Sequence, residues 1–425
     1  MLKVLVLAEQ VFTILSLVLF SGGPLVVILS GGVSEGDMIS GPPDFPQIQL
    51  LFLLNYLVTL FLLTLRWKKA IYVFNKATVI WLLIGISVVS ILWSFTPAIT
   101  RMRSLALVGS SLFGLYLASR YSIKEQLKLL MWTFGTVLTL SLLFAVALPK
   151  YGIMGGIHAG AWRGIYVHKN IFGKMMVLSA LIFWLQASST KQKRWFPWLG
   201  LGLSVCFLLL AKSTTSLINI VTLFTLIPIY QTLRWRYHLM IPAVIAIVTF
   251  SSSLSLWITS NAATLLGTLG KDTTLTGRTD MWPYIWEMIE KQPWLGYGYS
   301  GFWQGWNSPA AYVWRAVQWS APNSHNGLLD LWLELGALGV AVFLLGFWAT
   351  FIRSLAWLRQ TKSSEGFWPL LYLTNMVMAN LGESSLLNHN DIFWVLYVAV
   401  ALSLFILPQQ QAKILTRMPA SKITA

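Results

Sequence analysis

Apolar segments of about 16 to 25 residues recur along this whole 425-residue chain and constrain its fold more than any other feature. Each is close to the roughly 20 residues that a helix needs to cross a bilayer. A membrane-spanning β-barrel would show segments of alternating polarity instead, and the run at 47–65 shows no alternation. Only 10% of the residues are charged, which excludes an ordinary water-exposed globule. The sequence therefore predicts an all-α, multi-pass membrane protein.

We expect about twelve transmembrane helices, with both termini in the cytoplasm. The first has no convincing cleavage site, so it is expected to be retained rather than removed as a signal peptide. The predicted spans are 4–28, 47–65, 77–95, 104–119, 127–148, 171–187, 196–211, 216–230, 239–258, 326–352, 367–387 and 392–407. Four regions follow: nine helices in 1–258, a large extracytoplasmic loop at 259–325, three helices in 326–407 and a cytoplasmic tail at 408–425.

The net formal charge of +16 would suggest a nucleic-acid partner if the protein were soluble. With the N-terminus in the cytoplasm, however, most of the 30 basic residues fall in the predicted inner segments. This is the positive-inside pattern of membrane proteins. We therefore expect a lipid bilayer, and no nucleic acid, as a partner. Cys206 is the sole cysteine, which excludes an intramolecular disulfide.

The predicted loop at 259–325 is far longer than the other connections and holds seven of the 22 tryptophans. Long ordered connections often carry function. A short amphipathic helix is expected after Thr276-Gly277-Arg278, with a stripe of Trp282, Ile285, Trp286 and Ile289 at helical spacing. The tryptophans fit two interpretations, an aromatic belt at the membrane interface or flat platforms for sugar rings.

Two arginines on the predicted outer side run against the charge rule for membrane loops. Arg278 begins the amphipathic loop helix, where free N–H groups and the helix dipole favour an anion. Arg163 precedes His168-Lys169-Asn170, with Asn170 as the expected N-cap of the sixth span. Both arginines suit a phosphate group, because a guanidinium pairs with it in bidentate fashion. Contact with lipid headgroups is the alternative for either residue.

His325 lies at the predicted outer end of the tenth span, where a neutral imidazole could take a proton from a hydroxyl group. Lys212 lies beside several hydroxyl residues at another membrane edge. Glu383 is predicted near the outer end of the eleventh span, followed by His389 and Asp391. A carboxylate at that depth is either a site residue or a hydrogen-bonded contact between helices. No histidine pair has helical metal-ligand spacing, so no metal is indicated.

The segment from His325 to Gly336, which reads HNGLLDLWLELG, resembles the His-x10-Gly pattern of the O-antigen ligase and O-antigen polymerase superfamily. The stretch from Arg163 to Gly173 resembles the family's arginine-containing outer loop, in the His-Lys-Asn form typical of exopolysaccharide polymerases. Thr276-Gly277-Arg278 resembles its second arginine site, and 293–298 the stretch after it. Val167 stands where the ligases often have leucine, which favours the polymerase branch.

This resemblance implies a GT-C-like, metal-independent, inverting glycosyltransferase without a cofactor, in the bacterial cytoplasmic (inner) membrane. The donor would be a glycan on undecaprenyl diphosphate, the acceptor a glycan or lipid-linked glycan, and the active site extracytoplasmic. Arg163 and Arg278 would clamp the diphosphate, and His325 would be the base. The expected substrate contacts are Lys169, His168, Asn170, Lys212, Trp282, Asn326 and Glu383.

Three functions therefore remain open from the sequence. The first is a polymerase that joins polysaccharide repeat units. The second is a ligase that moves a finished O-antigen onto a lipopolysaccharide lipid A-core or a protein acceptor. The third, from another class, is a transporter or flippase, although the paired broken helices typical of transporter halves are not evident.

Overall fold

The computed structural model describes residues 2–33, 45–189, 195–260 and 278–415. Regular structure in these ranges is helical, apart from an isolated β-bridge between Ile153 and Trp162. Residues 261–277 of the predicted loop and 416–425 of the predicted tail lie outside the described residues. The described part of that tail belongs to a helix that continues to Leu415.

The helices follow one another along the chain in this order. They are α1 (Leu2–Phe20), α2 (Leu25–Leu29), α3 (Pro46–Thr64), α4 (Trp67–Phe74), α5 (Thr78–Val89), α6 (Pro97–Arg120), α7 (Ile123–Ala147), α8 (Pro149–Gly152), α9 (Lys169–Ser189), α10 (Trp195–Leu210), α11 (Thr214–Thr232), α12 (Tyr237–Ser260), α13 (Arg278–Lys291), α14 (Ala310–Val317), α15 (Gly327–Gln360), α16 (Trp368–Asn380) and α17 (Ile392–Leu415). Short 3-10 turns lie at Ser90–Leu92, Gly156–His158 and Ser364–Phe367.

Seven helices in the described ranges are long and apolar enough to cross a membrane, namely α1, α3, α6, α7, α9, α11 and α15. The pair α4 and α5, bent by 85°, makes an eighth candidate span. Shorter apolar helices lie in α10, α12 and α17. Each of the twelve predicted spans contains a helix, so the all-α, multi-pass fold class is confirmed. Within the described residues, seven or eight of the twelve are both long enough and apolar enough to span a membrane.

Two predicted spans end earlier in the structure than the apolar pattern indicates. The first ends at Phe20, because Gly22 adopts a positive φ of 89° and Pro24 lacks the N–H that a continued helix needs. The eleventh ends at Asn380, whose side-chain oxygen accepts the Ser385 N–H at 2.7 Å and turns the chain. Glu383 consequently lies in the loop 381–391 rather than inside a span.

Helix α9 lies at the centre of the bundle, since 78% of its apolar window is buried, the largest share among the candidate spans. It packs against α7, α10, α11 and α16. Helix α17 packs on α6 and is buried almost completely from Ile392 to Leu402. These two helices hold the connections at their ends in fixed positions, including the start of α9, where candidate site residues lie.

The predicted amphipathic helix of the long loop is present as α13, but it buries a different stripe. Its buried residues are Met281, Ile285, Met288 and Ile289, whereas Trp286 is 46% exposed. The stripe is rotated because α14 packs on this side of α13, where Val313 and Trp314 complete a second hydrophobic cluster. The described part of the loop therefore has a small core of its own.

Helix α15 breaks at Gly336, which has φ 64° and ψ −168°. The N–H groups of Ala337 and Leu338 donate to the carbonyls of Pro293 and Trp294, at 2.8 and 3.3 Å. In return, the Tyr297 N–H donates to the Leu333 carbonyl at 2.7 Å. At the break, backbone groups of α15 therefore form hydrogen bonds with the loop segment 293–297 instead of with each other. This exchange fixes the loop core against the first half of α15.

Candidate active site at the loop face

The starts of α9, α11 and α15 and the end of α16 lie at one end of the bundle, which we call the loop face. His325 precedes α15 and adopts a positive φ of 54°, a conformation that histidine tolerates better than most residues. Its N–H donates to the Asn323 side chain at 2.9 Å. Asn326 caps α15 by accepting the Leu328 and Leu329 N–H groups at 3.0 and 3.3 Å. These turns hold the imidazole at the loop face, 16% exposed.

Glu383 lies opposite His325, with 3.8 Å between the imidazole Nδ1 and the carboxylate Oε2. The other carboxylate oxygen, Oε1, accepts a hydrogen bond from the Asn170 side chain at 3.1 Å. Asn170 in turn accepts one from the Ser213 hydroxyl at 3.1 Å. Four distant parts of the sequence thus meet in one polar cluster. At 3.8 Å, Nδ1 is within ion-pair distance of the carboxylate but beyond a hydrogen bond, and the buried Nδ1 has no hydrogen-bond partner among the described residues.

The buried Asp330 connects the loop of His325 to the loop of Glu383, a role that the sequence analysis missed. Its carboxylate accepts the Ser324 N–H at 3.1 and 3.2 Å and the Trp303 indole N–H at 2.8 Å. The Ser384 hydroxyl donates to it as well. Two of the three donors are the residues directly before His325 and directly after Glu383. An acidic residue inside an apolar helix gave no sequence signal for these distant partners.

The Asp330→Asn variant is expected to transfer substrate about 10- to 100-fold more slowly, because misplacing a catalytic group by an ångström costs about that much. Three donors converge on this carboxylate, and the amide nitrogen of asparagine would face one of them. Glu290→Gln, at an exposed carboxylate of α13, is the matched control and should retain the wild-type rate. Rates and melting temperatures of both variants test this, and an unchanged rate for Asp330→Asn would refute the positioning role.

His168, not Asn170, caps α9. The helix begins at Lys169, and the His168 Nδ1 accepts the Asn170 N–H at 3.2 Å. The expected N-cap at Asn170 is therefore wrong, because the Asn170 side chain reaches across to Glu383 instead. Burial lowers the pKa of His168 to about 4, so its imidazole is neutral near pH 7. His158 packs against it, with 5.5 Å between the ring centroids.

The neutral His168 makes the fold sensitive to acid. Its pKa is about 4 in the folded chain, against roughly 6.5 when unfolded, so the unfolded state takes up the proton first. Stability is therefore lost as the pH falls from about 6.5 towards 4, by ~2 kcal/mol at pH 5. His168→Asn keeps a capping acceptor without this titration. Its melting temperature should fall less between pH 7 and 5 than that of the wild type, and equal falls would contradict the assignment.

Arg163 is 1% exposed, and backbone carbonyls occupy all its donors. Nε donates to Tyr151 at 2.9 Å, and the two terminal nitrogens donate to the carbonyls of Gly32, Val33, Lys150 and Val167 at 2.6 to 3.4 Å. This geometry differs from that expected of a diphosphate clamp, because a ligand would have to displace protein carbonyls. It supports instead a role in holding the loop before His168.

Some of the remaining predicted site residues lie at the loop face, and others hold its backbone in place. Lys169 reaches the Lys212 carbonyl at 3.5 Å, and the Lys212 side chain is exposed, so both cations lie near the start of α9. The Trp282 indole N–H donates to the Ser324 carbonyl at 3.1 Å and supports the turn before His325. Arg278 is the first residue of α13, but its side chain lies outside the described residues.

Two further observations limit the possible chemistry of the loop face. Burial and the nearby Arg103 lower the pKa of His389 to about 3, so this histidine is a poor base for a reaction near pH 7. Among the described residues, no group of three or more His, Cys, Asp or Glu side chains could hold a metal ion. His325 and Glu383 are therefore candidates for acid–base chemistry in the described part of the loop face.

Comparison with known proteins gives two matches. A sequence profile for a family described as "O-Antigen ligase" matches residues 199–344, which include Arg278, His325 and Gly336. The "Exopolysaccharide production protein ExoQ" of Rhizobium meliloti (strain 1021) is 22% identical over 283 residues. The aligned part covers 63% of this chain and 63% of that relative, so the chain spans less than two thirds of its length. With the helical membrane fold and the His325–Gly336 segment, these matches support a likeness to the O-antigen ligase and polymerase-like family.

Proposed function

We propose that this chain is a glycosyltransferase that polymerises O-antigen or exopolysaccharide repeat units in the bacterial cytoplasmic membrane. The donor is a glycan on undecaprenyl diphosphate, and the reaction proceeds at the extracytoplasmic face without a metal and with inversion. The observation that carries this proposal is the pairing of His325 with Glu383, 3.8 Å apart, at the loop face. The likeness to the O-antigen ligase and polymerase-like family supports it.

In the proposed reaction, Nε2 of His325 takes the proton from a hydroxyl group of the acceptor sugar. The acceptor oxygen bonds to the anomeric carbon of the donor while the bond from that carbon to the diphosphate oxygen breaks. The lipid diphosphate leaves with the electron pair. Glu383 stabilises the imidazolium that forms, because its carboxylate lies beside Nδ1. The proton then passes from His325 to water, which restores the base.

The leaving diphosphate needs positive charge, and several cations lie around the start of α9. Lys169 and Lys212 lie next to each other there. The positive end of the helix dipole also lies at this helix start. Arg278, at the start of α13, contributes a second site of this kind. Arg163 contributes indirectly, by fixing the backbone that leads to His168 and Lys169.

Polymerase and ligase activities use the same chemistry and differ in their acceptor. We favour the polymerase because the relative is described as an exopolysaccharide production protein. The description of the matching family as O-antigen ligase keeps the ligase as a second candidate. In that case the acceptor is a lipid A-core or a protein.

Purified protein in nanodiscs, supplied with lipid-linked repeat units alone, tests the proposal. A ladder of longer glycans, unaffected by a chelator, is the expected result. Transfer only after a separate acceptor is added would establish the ligase instead. The absence of transfer under both conditions, together with movement of lipid-linked glycan across sealed vesicles, would overturn the proposal in favour of a flippase.

A further inference from the structure

Trp319 stacks on His325, with 6.1 Å between the ring centroids and 29° between the ring planes. Among the tryptophans that the structure describes, it alone contacts the imidazole in this way. At this separation the two nearly parallel rings are offset, so the imidazole covers only part of the indole face. The uncovered part lies directly beside the proposed base, and the Trp319 side chain is 40% exposed.

Other tryptophans of this region are bound to the protein through their indole N–H groups. Trp303 donates to the Asp330 carboxylate at 2.8 Å, and Trp332 donates to the Pro293 carbonyl at 3.1 Å. These contacts account for their presence without a ligand. For these tryptophans, neither an interfacial position nor sugar binding is needed to explain the side chain.

Two of the bound tryptophans fix the backbone that carries Trp319. Trp314 donates to the Ala321 carbonyl at 2.8 Å, and Trp282 donates to the Ser324 carbonyl at 3.1 Å. Before Trp319, Gln318 adopts a left-handed conformation with φ 59° and ends α14. The turn is thus held after Trp319 at two points, which keeps an exposed ring beside His325. A prearranged aromatic surface binds a ligand at a smaller entropic cost than a mobile one.

We propose that Trp319 is the platform for the acceptor sugar, whose pyranose ring stacks on the uncovered indole face with a hydroxyl group towards His325. Aromatic faces suit the apolar C–H face of a pyranose. The inference rests on the proposed glycosyl transfer and names the subsite within it. Trp319 is accordingly a binding residue for the acceptor.

Steady-state transfer with lipid-linked repeat units, measured on purified protein in nanodiscs, tests the platform. Trp319→Ala should raise the apparent KM about ten-fold and leave kcat within two-fold, because the platform binds the sugar before the chemical step. Trp319→Phe should keep KM within about three-fold, since it retains a flat aromatic face. Trp306→Ala is the matched control, because Trp306 is also exposed but contacts Trp314 instead of His325. Its KM should equal that of the wild type.

An unchanged KM in Trp319→Ala would overturn the platform. A loss of kcat alone would also overturn it, because Trp319 would then act only by holding His325. An equal rise of KM in Trp306→Ala would point to a general interfacial effect and against a subsite. Should Trp319→Ala not fold, Trp319→Leu, which keeps apolar volume without a flat face, replaces it with the same criteria. If the wild-type protein is inactive, the proposed function itself is refuted. If the wild-type protein is active and Trp319→Ala has the same KM, only the platform is refuted.

Discussion

The His325→Ala variant is expected to lose transfer activity by a factor of about 10² to 10⁴, the usual contribution of a positioned general base. Glu383→Gln should lose less, about 10- to 100-fold, because it leaves the base in place and removes only the charge beside Nδ1. The rate of glycan ladder formation by each purified variant measures both effects. Mutation of both residues together should cost less than the product of the single losses, since the two side chains act as one unit.

His238→Ala is the matched control for this prediction. His238 is exposed on α12, and the sequence places it on the opposite side of the membrane from His325. Its removal should leave the rate unchanged. Full activity in His325→Ala would exclude this histidine as the base and would refute the proposed mechanism.

Replacement of Gly336 by alanine is expected to produce the largest loss of stability. The added Cβ would lie 2.2 Å from the backbone carbon and oxygen of Trp294, far inside van der Waals contact. The φ of 64° at this position also disfavours any residue with a side chain. The segment 293–297 would have to leave the helix break, and several backbone hydrogen bonds would be lost with it. We expect a loss of ~3 kcal/mol or more, measured as a lower melting temperature.

Gly202→Ala provides the control, because nothing lies within 4 Å of a Cβ added at this position in α10. It should keep or slightly raise the melting temperature, since alanine favours a helix over glycine by up to about 1 kcal/mol. A Gly336→Ala protein as stable as Gly202→Ala would show that the break in α15 is not constrained by the loop.

The helical membrane fold is predictable from sequence because spanning segments must be long and apolar. Where the apolar pattern was wrong, a local feature overrode it: a glycine and a proline in the first span, and a polar contact in the eleventh. The run at 367–387 reads as one span, yet the Asn380 side chain binds the Ser385 N–H and ends the helix. Hydropathy averages over a window, so it does not detect one side chain that turns the chain.

The site was only partly predictable, for a similar reason. Local signals placed His325 correctly just before a helix, because the residues before a helix follow local rules, but they put the N-cap of α9 at Asn170 instead of His168. Their partners are distant in sequence. Arg163 binds carbonyls about 130 residues away, and the donors to Asp330 come from three separate segments. Such contacts depend on how the helices pack, which the periodicity of one chain does not specify.

The distance along the chain between Asn170 and Glu383, 213 residues, also has a consequence for biogenesis. A chain emerging from the ribosome presents α9 long before α16 has been synthesised, since domains form from the N-terminus onwards. The base and its carboxylate therefore come together only after the last helices have joined the bundle. Under the proposed mechanism, a nascent chain that lacks the last helices is therefore inactive.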